Sequence, residues 1–215
     1  MQDDRLAAQC AELRQMGAAT VHEAQGQKGA FDSGIKPIDP AMRVAGPALT
    51  VQCRPGDNLA LHHALTKLQP GQVLVVDAEG FVEAGPWGDV MSTAAMQRGC
   101  AGLVIDGAVR DSQAITDMGF PVFSRGVSIK GTNKFQPGKV GVPVVVGGVV
   151  VRTGDVVVGD RDGLVVVLAE EVAFAVDASR QREEKEVVSR QKIASGTTTV
   201  EMLGLQDLLD RFGMR

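Results

Sequence analysis

Tyrosine is absent from this chain of 215 residues, tryptophan occurs once, and aromatic residues reach only 4%. Nucleic-acid binders stack bases on aromatic rings and meet phosphates with surplus Lys and Arg. A formal net charge of −4 and so few rings argue against a nucleic-acid partner. No CxxC pair exists, and Cys10, Cys53 and Cys100 are scattered and odd in number. Such a set fits reduced, mostly buried thiols in a cytoplasmic protein and not a disulfide framework. Long apolar runs are missing too: VPVVVGGVVV (142–151) is far too short to span a bilayer and holds two glycines. The first residues, MQDDRLAAQ, are acidic where a secretory leader is basic. The expectation is a soluble, cytoplasmic protein with no membrane partner.

What is present has globular proportions, 44% hydrophobic and 22% charged residues. The length suits one domain, 1–215, with a core over about 18–170 and a C-terminal helical extension over 170–215. Leu6, Cys10, Leu13 and Met16 fall on one face of a helix that Gly17 stops. TVHE places Thr20 and Glu23 at capping-box spacing and predicts the start of a second short helix. Residues 24–40 read as a polar loop, 44–53 as a strand and 58–68 as an apolar helix. QVLVVDA (72–78) and GLVID (102–106) read as buried strands on either side of a helix over 90–99. A short helix, QAITDMG, and a further strand beginning FPVFSRG follow. This alternation predicts an α/β fold with βαβ units and a partly parallel sheet, helices outside. After residue 126, short Val-rich runs separated by turns predict a β meander, a second sheet packed on the first. The charged helix over about 170–195 contains a stretch, SRQREEKEVVSR, with almost no apolar face beyond Val187 and Val188. It is therefore solvated or laid against another subunit.

Ligands of parallel sheets bind beyond the carboxyl ends of the strands. The loops there are AGPWGD (84–89) and GAVRDS (107–112), and neighbouring strands with right-handed connections put both on one edge. Gly85 and Gly88 let backbone approach a ligand closely. Asp89 is a candidate N-cap, which leaves the amides of Val90 and Met91 free to hold a carboxylate at a helix N-terminus. Arg110 offers a bidentate fork to a carboxylate or enolate, and Asp111 is a hard oxygen ligand for a divalent cation. A surface turn with an incidental ion pair explains the same residues at this point. Other groups carry less. His62 and His63 are adjacent on an apolar helix and diverge, and His22 reads as a helix-start residue. DRDG (160–163) lacks the later Glu of a calcium loop and reads as a β-turn, and Trp87 is either a pocket wall or an anchor. No Cys is paired with a His in a catalytic pattern, and the lysines lie mostly in polar stretches, which disfavours a Schiff base.

TVHEAQGQKG, AGPALTV, PGDN, AGPWGDVM…AAMQRG, GLVIDGAVRD, GFPVFSRG and GDRDGLVVV together resemble the RraA-like family over about residues 18–200. Within it, they are most similar to the divalent metal-dependent 4-hydroxy-4-methyl-2-oxoglutarate / 4-carboxy-4-hydroxy-2-oxoadipate aldolases. The resemblance implies a layered α/β/β sandwich in a homotrimer that often doubles to a hexamer, with the C-terminal extension packing on a neighbouring subunit. It implies cleavage of 4-hydroxy-2-oxo acids to pyruvate plus a second oxo acid, and oxaloacetate decarboxylation through the same enolate. It assigns Asp111 to Mg²⁺ or Mn²⁺, Arg110 to the enolate, and Gly88, Val90 and Met91 to the pyruvyl carboxylate. Asp89 is assigned to metal-bound water. Glu186, or Glu183 if the helix register slips, matches a Glu that reaches in from the neighbouring subunit. Many relatives carry an acid where this chain has Ala114, and Gln113 is the expected partial substitute. The same resemblance admits a regulator of the endoribonuclease RNase E that lacks catalysis, a branch expected to lack the metal carboxylate, and a structural trimer with a vestigial site.

Overall fold

Leu74, Val75 and Val76 of β3 (Val73–Phe81) and Leu103, Val104 and Ile105 of β4 (Gly102–Val109) have no exposed surface. Uninterrupted apolar runs of this kind belong to central parallel strands covered on both faces. The structure, a computed structural model, describes residues 2–214 and divides into two units, one up to Ser179 and one from Arg180.

In the first unit, β2 (Val44–Gln52), β3, β4 and β5 (Val122–Val127) run parallel and lie side by side in sequence order. Their crossovers contain α3 (Leu59–Lys67), α4 (Asp89–Met96) and α5 (Ser112–Asp117). Strand side chains alternate between faces. Leu49, Val51, Leu74, Val76, Leu103 and Ile105 therefore share one core cluster with Leu61, Leu65, Met91 and Ile115 of the helices. Ala48, Val73, Val75, Val104 and Phe123 point the other way. They meet Val144, Val146 and Val151 of the hairpin β7 (Val144–Val146) and β8 (Val149–Val151). Short edge strands complete the sheet: β1 (Lys36–Pro37) beside β5, and β6 (Lys139–Val140) beside β2.

The Val-rich segment differs in part from the expected second sheet. β9 (Val156–Gly159) and β10 (Leu164–Val167) form an antiparallel pair that joins the main sheet. Val44–Pro47 of β2 pair with β9, while Ala48–Gln52 of the same strand pair with β3. With β6 beside its far end, one nine-residue strand thus serves three ladders, and among the described residues only β7–β8 stands as a separate sheet packed on the first. Hydrophobic pattern locates strands, but it does not say which neighbour each half of a long strand takes. A third cluster lies on β9–β10. Cys10 and Leu13 of α1 (Gln2–Met16) and Val21 of α2 (Ala18–Ala24) pack there with Val172, Ala175 and Val176 of α6 (Val172–Ala194).

The capping box expected at Thr20 is not formed. α2 begins earlier, at Ala18, with Gly17 at φ 86° as its N-cap, and Thr20 lies inside the helix. The Ala18 N–H donates instead to Asp160 Oδ2 at 2.8 Å, a carboxylate from 142 residues away. The second unit contains the rest of α6, then α7 (Thr199–Leu203) and α8 (Gln206–Arg211). A capping box does form here, between Thr198 and Glu201, and no residue from 180 to 214 is buried. No helix among the described residues is long and apolar enough to cross a membrane.

Asp160→Ala should cost about 1 kcal/mol in urea denaturation, the usual value of a lost helix cap, whereas Thr20→Ala should leave the midpoint nearly unchanged.

Candidate active site at the carboxyl edge

Because β3 and β4 are parallel neighbours, residues 82–88 and the pair Arg110–Asp111 leave the sheet at one edge. The 84–88 backbone is buried and fastened there. Arg110 N–H donates to Trp87 O at 2.9 Å, Gly85 N–H to Lys130 O at 2.9 Å, and Ser128 N–H to Val109 O at 2.8 Å. Trp87 is fully buried, donates Nε1–H to Ser92 Oγ at 2.7 Å and stacks on Phe120, so it is an anchor and not a pocket wall. The two loop glycines make the close approach possible. A Cβ on Gly88 would lie 2.3 Å from Asp111 Oδ2, and one on Gly85 would lie 2.9 Å from Arg110 Cβ.

Arg110 Nε and Asp111 Oδ2 are 3.4 Å apart, with 45% and 38% of their side chains exposed. An ion pair so open to water contributes at most about 1 kcal/mol, so stability alone does not explain it. Asp111 also has a left-handed backbone, φ 56° and ψ 36°, at the N-cap of α5. Non-glycine residues in that region are uncommon and cluster where a side chain must be aimed.

Around this pair the geometry revises three expectations. Asp89 is the first residue of α4 and not its N-cap; Gly88 takes that place in extended conformation. The Asp89 carboxylate accepts from the Val90 N–H at 2.7 Å, and the Asp89 N–H reaches Asp111 Oδ2 at 3.4 Å. The Val90 amide is therefore occupied by the chain's own carboxylate, while the Met91 N–H has no acceptor among the described residues. First-turn amides lack helical partners, and here a one-residue offset lets Asp89 fold back on its neighbour. Gln113 does not turn toward the site, since its Nε2 donates to Asp117 Oδ1 at 2.8 Å, one turn along α5. Ala114 is exposed beside it.

Gly88, Asp89, Val90, Met91, Arg110 and Asp111 thus lie together in the first unit. Glu186 and Glu183 belong to the second, where the Glu186 carboxylate sits between Arg182 at 3.1 Å and Arg190 at 3.2 Å. Two residues that sequence reasoning left unassigned also reach this edge. Asp57 and Asn58 of PGDN are buried, and Asn58 Nδ2 donates to Pro86 O at 2.9 Å. A Pro-Gly turn before an apolar helix was the available signal, but it marks a turn and not burial.

Other chemistries find little support. Burial pushes the Cys10, Cys53 and Cys100 thiols up to about 11, 12 and 11, leaving them protonated and unreactive at neutral pH. Every lysine is exposed, so none has the desolvated setting of a Schiff-base amine. Asp160 of DRDG accepts from Ala18 and Asp162 amides, which makes it a cap and a turn residue. A cleft of about 160 Å³ beside α2 is lined by Ala18, His22, Phe31, Ser33, Asp162 and Leu164 among others, and none of the Arg110–Asp111 group lines it.

The left-handed backbone at Asp111 gives a direct test. Asp111→Gly should be more stable than Asp111→Ala by about 1 kcal/mol in urea denaturation, because only glycine adopts that conformation without strain. Equal stabilities would show that the backbone there is not left-handed.

The family model RraA-like, described as Aldolase/RraA, matches residues 15–166. A Halalkalibacterium halodurans protein named "Putative 4-hydroxy-4-methyl-2-oxoglutarate aldolase" is 44% identical over 135 residues. Those residues are 63% of this chain and 64% of the relative, less than two thirds of its length. An uncharacterised protein from Pseudomonas syringae pv. tomato has a similar structure, with TM-score 0.81 at 32% identity, over 89% of this chain and 90% of the other. Streptomyces coelicolor RraAS2, described as an unusual member of the RNase ES inhibitor RraA protein family, gives TM-score 0.75 at 33% identity over 85% and 96%. The matched region contains both loops of the candidate site, and this chain belongs to the RraA-like family.

Proposed function

We propose that this chain is a divalent metal-dependent lyase acting on 4-hydroxy-2-oxo acids such as 4-hydroxy-4-methyl-2-oxoglutarate and 4-carboxy-4-hydroxy-2-oxoadipate. It releases pyruvate and a second oxo acid, and it decarboxylates oxaloacetate, whose C4 carboxylate leaves as CO₂, through the same pyruvate enolate. The observation that carries this reading is Asp111, held in a left-handed conformation beside Arg110 and facing the N-terminus of α4 across Gly88.

The donor set fits Mg²⁺ or Mn²⁺. Asp111 and Asp89 are hard oxygen donors at a solvent-accessible edge. Among the described residues no group of three or more His, Cys, Asp or Glu forms an all-protein cage. Mg²⁺ typically takes one or two carboxylates and leaves its remaining positions to water and substrate. Asp111 would hold the ion, and Asp89 would order its water. When bound, the cation supplies Lewis-acid polarisation of the substrate C2 carbonyl.

The protein groups do the rest. The Arg110 guanidinium faces the C2 oxygen and stabilises the negative charge that develops there as the C3–C4 bond breaks. The Met91 amide, joined by Val90 once the Asp89 carboxylate turns away from it, holds the pyruvyl carboxylate at the positive end of α4. A base removes the C4 hydroxyl proton, so the C4 fragment leaves as an oxo acid and the C3 electron pair forms the enolate. Protonation at C3 then gives pyruvate. Glu186 from a neighbouring copy is the proposed proton-handling group, with Glu183 as the substitute, in a homotrimer or hexamer whose C-terminal helices pack on adjacent subunits. Similarity to RraAS2 favours a second reading, a protein regulator of an RNase E-type enzyme, but such a role gives no use to Asp111.

Treatment with EDTA should abolish pyruvate release from oxaloacetate and from 4-hydroxy-4-methyl-2-oxoglutarate, and Mg²⁺ or Mn²⁺ should restore it. Arg110→Lys should lower kcat by about 10²–10³, the usual loss when a transition-state donor is misplaced, and Asp111→Ala by at least as much. Metal-independent turnover, or full activity in Asp111→Ala, would sink the reading.

A further inference from the structure

Asp57 takes no part in the chemistry above, yet its side chain is buried, with only 1% of the residue exposed. Burial alone would push its pKa up. The N–H groups of Leu59, Phe135 and Gln136, with Lys134 nearby, outweigh that and hold the carboxyl below the ordinary range. It is therefore ionised at neutral pH.

Its two oxygens serve different segments. Oδ1 accepts from Leu59 N–H at 2.9 Å, which turns the chain into α3. Oδ2 accepts from Phe135 N–H at 2.7 Å and Gln136 N–H at 3.1 Å, both on the loop after β5. Backbone bonds reinforce the same junction: Asn133 N–H to Gly56 O at 2.9 Å, and Asn58 N–H to Asn133 O at 3.0 Å. The near end of that loop is fastened to the candidate site. Ser128 donates to Val109, the residue before Arg110, and Lys130 O accepts from Gly85. Asn58 adds a direct tie through its bond to Pro86 O. Its Oδ1 is buried with no hydrogen-bond partner among the described residues, a cost that packing alone does not call for. The loops 53–58, 82–88 and 128–138 are thus closed into one hydrogen-bonded ring, with Asp57 and Asn58 at its buried side.

We propose that Asp57 is a positioning residue for the Arg110–Asp111 site. By pinning the far end of loop 128–138, and with Asn58 holding Pro86, it sets how closely the Gly85–Gly88 backbone lies on Arg110 and Asp111. The Gly85 and Gly88 backbone lies so close to Arg110 and Asp111 that not even a Cβ fits between them, so a small drift of this loop changes how it meets that pair. Misplacement of binding groups by about 1 Å can cost about 10²-fold in turnover efficiency.

The test uses the full chain with Mg²⁺, comparing wild type with Asp57→Asn. The asparagine keeps an oxygen for Leu59 but turns an NH₂ group toward the Phe135 and Gln136 amides, which it cannot satisfy. Hydrogen exchange by mass spectrometry should rise about tenfold in 84–91 as well as 128–138, with β3 and β4 unchanged. The kinetic arm rests on the lyase reading: KM for oxaloacetate should rise about tenfold while kcat changes less than about threefold. A purely structural defect would instead lower the active fraction, reducing apparent kcat at unchanged KM. That result, or faster exchange confined to 57–61 and 133–136, overturns the proposal. If wild type turns over no oxo acid, the lyase reading fails and the exchange arm still decides the positioning role. Should Asp57→Asn not fold, wild-type exchange in rising urea decides: 84–91 and 128–138 must open with the same urea dependence, and distinct dependences overturn the proposal.

Discussion

Parallel pairing of β3 with β4 is the constraint on which the candidate site depends. Five consecutive register pairs, Val73↔Gly102 to Asp77↔Asp106, bring the two carboxyl ends level. The ladder then shifts, with Glu79 and Gly80 at positive φ, and resumes at Phe81↔Gly107. That irregularity is tolerated because Gly107 has no side chain; a Cβ there would lie 3.0 Å from Ala78 Cβ. Beyond it the chain returns over β4 and presents Trp87 O to the Arg110 amide. Antiparallel strands would have sent the two loops to opposite ends of the sheet.

The face opposite the helices is tied by charge as well as by valines. Asp106 receives Arg125 Nε, and Arg125 reaches Asp32 at 3.1 Å. The second oxygen of Asp106 accepts from Gly147 N–H at 2.8 Å, in the turn of the β7–β8 hairpin. A nearly buried carboxylate is tolerable only when its lone pairs are used in this way. The arrangement fixes the hairpin to β4, the strand that leads into Arg110. Asp77, one strand over, pays for its setting: burial first, then Asp106 and Glu79, push its pKa up.

The N-terminus of α4 is already satisfied in part by the chain's own carboxylates, Asp89 on Val90 and Asp111 on Asp89. An oxo acid binding there would exchange one set of anion contacts for another and would not fill an empty cradle. Such an exchange limits the net affinity for a bare carboxylate, because the displaced acid must find water or a cation.

The sequence by itself determined the elements and the edge. Buried runs such as VLVV and GLVI, short and β-branched between turn residues, read as central strands, their alternation with helical stretches favours parallel pairing, and parallel pairing places AGPWGD beside Arg110–Asp111. These follow from short-range periodicity and excluded volume, which are written in neighbouring residues. Contacts across long sequence separations were not legible. Asp160 displaced the local Thr20 as the cap of α2, and β2 was shared among β3, β6 and β9. The left-handed backbone of Asp111, the offset that lets Asp89 occupy the Val90 amide, and the ring closed by Asp57 and Asn58 also came only from the tertiary structure. A tertiary hydrogen bond has no sequence periodicity, so its partner is known only once packing has brought the two groups within reach.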